Sequence, residues 1–190
     1  MNALKTLCIA LLSLGYATAA NAAGGTSSIV IDAQSGNVLY ADKAEELRYP
    51  ASLTKLMTLY ITFNALETGK LKFSDKLKVS STAASRSPSK LGMPAGSYID
   101  VKTAVEALIV KSANDCATVL AEALSPSEAE FAKLMTKTAR KLGMYRTTFK
   151  NASGLPNSAQ KTTAKDLAIL GAAVYHHFPQ YYHLFSLNEF

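Results

Sequence analysis

The chain has 190 residues, which suits one domain of the usual ~100–200 residues. Apolar residues make up 48% and charged residues 18%, without a low-complexity tract, which excludes a disordered chain. No apolar run approaches the ~20 residues that span a bilayer. Two cysteines exclude a disulfide scaffold and a cysteine-rich zinc module. The net charge of +6 is scattered, without a basic stripe, so nucleic acid is not a partner; it reads as solubility with a weak attraction to anionic envelope surfaces.

Residues 1–22 read as an export signal. Lys5 precedes the apolar run Leu7-Cys8-Ile9-Ala10-Leu11-Leu12, and small residues follow from Ala17 to Ala23. Cleavage fits best after Ala22, with Ala19 as the second choice. A buried N-terminal helix is the alternative, but the segment has no polar face at helical period. Removal would leave Cys116 as the single cysteine. Export implies a periplasmic or other cell-envelope location.

In the remaining chain, Ser28–Asp32 and Val38–Tyr40 read as a hairpin around Gln34-Ser35-Gly36-Asn37. Ser52–Thr68 reads as a helix stopped by Gly69. Its apolar residues cover most of the circumference, so it is expected to be central and buried. Lys70–Val79 reads as a polar connection and Ser80–Ser97 as a loop. Helices are expected over Val101–Val110 and Cys116–Leu124. Ser125-Pro126-Ser127-Glu128 reads as a capping box with Pro at the first helical position, opening a helix to Leu142. Thr163-Ala164-Lys165-Asp166 reads as a second capped start, of a helix reaching about Val174. With no repeat and no linker, the fold class is a mixed α+β unit, rich in helix.

Ser52-Leu53-Thr54-Lys55 places a hydroxyl and an amine three apart on one helix face. A serine hydroxyl is a poor nucleophile until a neighbour takes its proton, and lysine does so only when burial or charge lowers its pKa. Ser52 also falls in the first helical turn, where free N–H groups and the dipole favour developing negative charge. Two other S-x-x-K strings exist, Ser87/Lys90 and Ser158/Lys161, but neither opens a buried helix. From the residues alone, Lys55 is either an activated base or a surface lysine with a snorkelling stem. Ser112-Ala113-Asn114 interrupts the next helical stretch. There a hydroxyl can relay protons and an amide can orient a peptide or Lys55; equally, either residue can cap the following helix.

Together these strings resemble a known family. Pro50-Ala51-Ser52-Leu53-Thr54-Lys55-Leu56-Met57-Thr58 and Lys111-Ser112-Ala113-Asn114-Asp115 are similar to the first two motifs of the serine D-Ala-D-Ala carboxypeptidases, low-molecular-mass penicillin-binding proteins. Leu91–Gly96, Phe149–Leu155 and Thr162–Ala168 resemble the same family and favour it over the β-lactamases. The resemblance implies a transpeptidase-like fold and Ser52 as acylated nucleophile, with Lys55 as its base. It implies Ser112 as proton relay and Asn114 as substrate-orienting amide. It also implies peptidoglycan stem peptides as substrate, β-lactams as covalent inhibitors, and no metal or cofactor.

One departure stands out. The family's third motif, K-T-G on an inner strand, is absent; Lys161-Thr162-Thr163 lacks the glycine and precedes a helix. The expectation is therefore a transpeptidase-like domain, residues 23–190, without its later sheet strands. Many members carry a C-terminal membrane anchor, and membrane association is expected only through such a segment. For the chain as it stands, little or no turnover and poor stability are expected. The alternatives are a non-catalytic peptidoglycan-binding module, a peptidoglycan endopeptidase and a β-lactamase. His176, His177 and His183 lie in an aromatic tract without an accompanying acid, and read as an exposed amphipathic end rather than a metal site. Glu67, Glu106, Glu122, Glu128 and Glu130 are expected on solvated helix faces.

Overall fold

A helix that is apolar on nearly every side needs neighbours on every side, and the arrangement follows from that demand. The computed structural model describes residues 25–189. The export signal and its cleavage site lie outside the described residues. Strands β1 (Ser28–Ile31) and β2 (Val38–Asp42) form an antiparallel hairpin with Val30 opposite Tyr40. Its turn is built by Asp32, whose carboxylate accepts the amides of Gln34 and Ser35, and by Gly36 at φ +73°. The sheet is two-stranded, and Val38, Leu39 and Tyr40 of β2 are exposed.

The predicted long helix divides in two. Ala51–Leu53 is a 3-10 turn, and α1 runs from Thr54 to Glu67. It is central, as expected: Met57 and Phe63 are fully buried. The polar connection and loop hold more structure than their composition suggested. Strands β3 (Lys76–Lys78) and β4 (Tyr98–Asp100) pair antiparallel, and a short helix α2 (Ser81–Ala84) lies between them. Strands of three residues carry too little apolar alternation to be seen in sequence.

Helices α3 (Val101–Val110), α4 (Asn114–Leu124) and α5 (Glu128–Lys141) follow. The cap of α5 is Ser127, whose hydroxyl accepts from the Glu130 amide, so Ser125 and Pro126 precede the helix. This corrects the capping-box reading by two residues. Helix α6 (Ala164–His177) is capped by Thr163, as its sequence indicated. A short α7 (Pro179–Tyr182) and a 3-10 turn (His183–Ser186) end the described chain.

That end is not an exposed amphipathic tail. Phe178 and Leu184 are buried, and Phe63 of α1 stacks on Tyr181 with centroids 4.9 Å apart. Phe63 also meets Phe178 and Phe185 edge-on. The histidines bind singly: His177 to the Tyr60 hydroxyl at 2.8 Å, His176 to the Ala33 carbonyl and His183 to the Gln180 carbonyl. Truncating a buried phenylalanine costs about 3–5 kcal/mol. Phe63→Ala is therefore expected to lower stability by that amount in urea unfolding and to loosen residues 178–187 in hydrogen exchange.

Candidate active site

The site forms where the chain enters α1. Arg48 pairs with Thr162 through both backbone hydrogen bonds, at 2.8 and 2.9 Å, which anchors the approach to Pro50. Ala51 then takes φ +47°, a left-handed conformation that costs a non-glycine residue about 1–2 kcal/mol. The turn leaves Ser52 exposed at the start of the helix.

One turn later Lys55 points inward. It is only 4% exposed, and its Nζ donates to the Ser153 carbonyl at 2.6 Å. Burial alone pulls its pKa from the ordinary 10.5 to about 8. The snorkelling alternative is thereby closed. A neutral amine that donates to a carbonyl keeps its lone pair for another partner, which is what a base needs.

The segment that receives Lys55 is residues 150–160, and α1 grips it at two further points. Thr58 donates to the Ala152 carbonyl at 2.8 Å. Thr54 accepts from the Gln160 amide at 3.3 Å. Gln160 in turn accepts the amides of Lys150 and Asn151, and Asn151 accepts the amide of Gly154 at 2.7 Å. Gly154 sits at φ +88°, and a Cβ there would lie 1.8 Å from the Ala51 carbonyl oxygen. The segment thus rests directly on the residue before Ser52. An adjoining cleft of about 380 Å³ is lined by Tyr49, Ala51, Leu155 and Asn157.

The second motif is held by different means. Ser112 is half-buried at φ +55°, a second left-handed non-glycine residue. The N-cap of α4 is Ala113, without a side-chain cap, so neither Ser112 nor Asn114 serves as the cap. Asn114 is buried; its Nδ2 donates to the Ser87 carbonyl at 2.9 Å and its backbone amide to the Ser89 carbonyl at 2.7 Å. Asp115 accepts the amides of Leu91 and Gly92. Helix α4, which starts two residues after Ser112, packs on α1, the helix that carries Lys55. The other S-x-x-K strings go elsewhere: Lys90 donates to the Ala84 carbonyl, and Lys161 lies over the Tyr49 ring. Cys116 is a buried core residue whose thiol is pushed up by burial and by Asp115.

Sequence reasoning missed the Ser153 carbonyl, because a backbone acceptor leaves no mark on residue type. In sequence, Ser153 and Gly154 stood out only as part of Phe149–Leu155, a string that resembles the family. Glu128 is a correction: it does not sit on a solvated face but pairs with Arg86 and accepts the Ala152 amide at 3.0 Å.

The site thus holds a buried lysine one turn from an exposed serine at a helix start. The profile of the D-alanyl-D-alanine carboxypeptidase family matches residues 16–190. D-alanyl-D-alanine carboxypeptidase DacF of Bacillus subtilis is 39% identical over 144 residues, which cover 76% of this chain and 37% of that protein. Among solved structures, the carboxypeptidase DacD of Francisella tularensis superposes with a TM-score of 0.82 at 34% identity, over 84% of this chain and 38% of that one. Penicillin binding protein 5 of Haemophilus influenzae gives a TM-score of 0.83 at 31% identity, over 86% and 48%. The chain belongs to the D-alanyl-D-alanine carboxypeptidase family. It spans less than half the length of these relatives.

The tightest contact of the site yields a test. Alanine at φ > 0 costs about 1 kcal/mol by conformation alone, and the clash with Ala51 adds to that. Gly154→Ala is expected to lower the unfolding midpoint in urea and to slow any covalent labelling of Ser52; unchanged values for both would show the approach to be slack.

Proposed function

We propose that this chain carries the acylating serine and base of a D-Ala-D-Ala carboxypeptidase, which removes the terminal D-Ala from peptidoglycan stem peptides in cell-wall biogenesis. The observation that carries this reading is Lys55: buried, held by the Ser153 carbonyl and lowered to about 8, one turn from the exposed Ser52. Family membership supports the choice of substrate.

In this reading Ser52 Oγ attacks the carbonyl carbon of the penultimate D-Ala while neutral Lys55 takes the hydroxyl proton. Free N–H groups in the first helical turn and the helix dipole favour the oxyanion that forms. Collapse breaks the peptide bond, and the proton returns from Lys55 by way of Ser112 to the departing D-Ala nitrogen. Water then hydrolyses the Ser52 ester and regenerates the hydroxyl. Asn114 orients the peptide; with one N–H on the Ser87 carbonyl, its second N–H and its Oδ1 remain for substrate. The scheme uses no metal or cofactor. A β-lactam presents a cyclic amide in place of the scissile bond and would stop at the ester. The similarity to a penicillin binding protein supports that expectation.

Turnover by these 190 residues alone is expected to be slow. They hold no K-T-G string, and loss of one oxyanion donor costs about 10²–10³ in rate. Acylation is the step to measure. Incubation with a penicillin is expected to add one penicillin mass to the chain, and Ser52→Ala to abolish the adduct. Only neutral Lys55 accepts a proton, so the labelling rate should rise with pH through about 8 and then level off. A cooperatively folded chain without an adduct would overturn the assignment and leave the peptidoglycan-binding alternative.

Residues 1–22 carry the reading of an exported, envelope-located enzyme. N-terminal sequencing of protein recovered from the periplasm of an expressing bacterium is expected to begin at Ala23; an intact Met1 on cytoplasmic protein would overturn it.

A further inference from the structure

The carbonyl that holds Lys55 does not stay in place unaided. Ala152 and Ser153 are buried at 0% and 1% exposure, in a segment with no regular secondary structure. From one side α1 grips them through Thr58 and Lys55. From the other side stands Glu128, in the first turn of α5. One of its oxygens accepts the Ala152 amide at 3.0 Å, and the other pairs with the Arg86 guanidinium. Arg86 is tied in turn to α4, its Nε donating to Thr118 Oγ1 at 2.9 Å.

We infer that Glu128, held by Arg86, is a positioning residue for Lys55: it fixes Ala152 and so fixes the adjoining Ser153 carbonyl, which aims the amine at Ser52. This rests on the reading of Lys55 as the base. The argument is geometric. Ala152 has its N–H on Glu128 and its carbonyl on Thr58, so a carboxylate and a hydroxyl hold the peptide groups on either side of its Cα. The next carbonyl along is the Lys55 acceptor. A carboxylate is a stronger acceptor for a backbone N–H than a neutral oxygen, and Glu128 is largely buried, at 13% side-chain exposure. A largely buried ion pair contributes little net stability against a well-packed apolar pair, so a positional role accounts for it better than a stabilising one.

Other ionisable groups near α1 are engaged elsewhere. On α4, Asp115 accepts the Leu91 and Gly92 amides, and Cys116 is a buried thiol. On α6, Asp166 accepts from the Arg146 amide and the Thr147 hydroxyl. Glu128 is the carboxylate whose hydrogen bond reaches Ala152, the residue before the Lys55 acceptor. Without it the segment gains freedom, water reaches the Lys55 amine, and the amine returns toward its ordinary basicity.

The test compares three variants of the full chain. Glu128→Gln keeps an acceptor for the Ala152 amide. Glu128→Met removes it at similar size. The double variant Arg86→Met with Glu128→Met removes both charges, which leaves no unpaired buried ion and protects the fold. Two readouts are taken on chains that melt cooperatively: the pH midpoint of Lys55 acetylation by acetic anhydride, followed by peptide mass spectrometry, and the rate of penicillin labelling. The expected result is a midpoint near 8 in the parent and in Glu128→Gln. In both Met variants it should rise by about one unit or more, with labelling slowed on the order of tenfold to a hundredfold, as a displaced reacting group implies. Parent-like values for both readouts in the folded double variant would overturn the inference. The acetylation readout does not depend on acylation. A parent that fails to label with penicillin would therefore count against the Ser52 reading alone, while the Lys55 midpoints still decide the role of Glu128.

Discussion

Lys55 ends in a carbonyl rather than in water, and the site is arranged around that fact. An ammonium in an apolar interior is costly, and the group responds by giving up its proton more readily. The only charge-neutral way to hold such an amine is a hydrogen bond that survives deprotonation. The Ser153 carbonyl supplies it at 2.6 Å. That requirement explains why an irregular segment, residues 150–160, is buried at all. Its backbone groups are satisfied one by one: by Gln160, by Asn151, by Thr58 and by Glu128. The same segment comes close enough to Ala51 that only glycine fits at position 154.

The Ser52 side of the site is strained where the Lys55 side is satisfied. Ala51 and Ser112 both take left-handed backbone conformations, at φ +47° and +55°. One precedes Ser52, and the other is itself a candidate relay. Each costs about 1–3 kcal/mol and persists only where the surroundings over-determine it. The surroundings here are helices α1 and α4, packed on each other and buried along their contact. The chemistry-bearing residues therefore sit at breaks in the helices, while the helices themselves hold the breaks in register. This division lets a loop-borne serine be placed as firmly as a helical one.

The ends of the described chain show how context overrides composition. The aromatic tract Tyr175–Phe185 looks like an exposed amphipathic end in sequence, yet Phe178 and Leu184 are core residues and Phe178 meets Phe63 edge-on. Phe63 lies more than a hundred positions away, so no local pattern could reveal the packing. Glu128 was read as solvated for the same reason, since its partners Arg86 and Ala152 belong to distant segments. The β2 strand keeps Val38, Leu39 and Tyr40 exposed on a two-stranded sheet, an apolar surface of the kind a longer sheet would use.

The residue order alone determined the helices with strong caps and periods, the hairpin with its Gln34-Ser35-Gly36-Asn37 turn, and the pairing of Ser52 with Lys55 across one helical turn. These depend on contacts within a few residues, where side-chain chemistry and backbone geometry speak directly. Whether Lys55 is a base or a surface lysine was undecidable at that level, because its basicity is set by burial. The Ser153 carbonyl, the Glu128–Arg86 clamp, the close approach of Gly154 and the left-handed turns at Ala51 and Ser112 belong to the tertiary structure. Backbone acceptors and desolvation carry no residue label, and they arise only once segments a hundred residues apart are brought together.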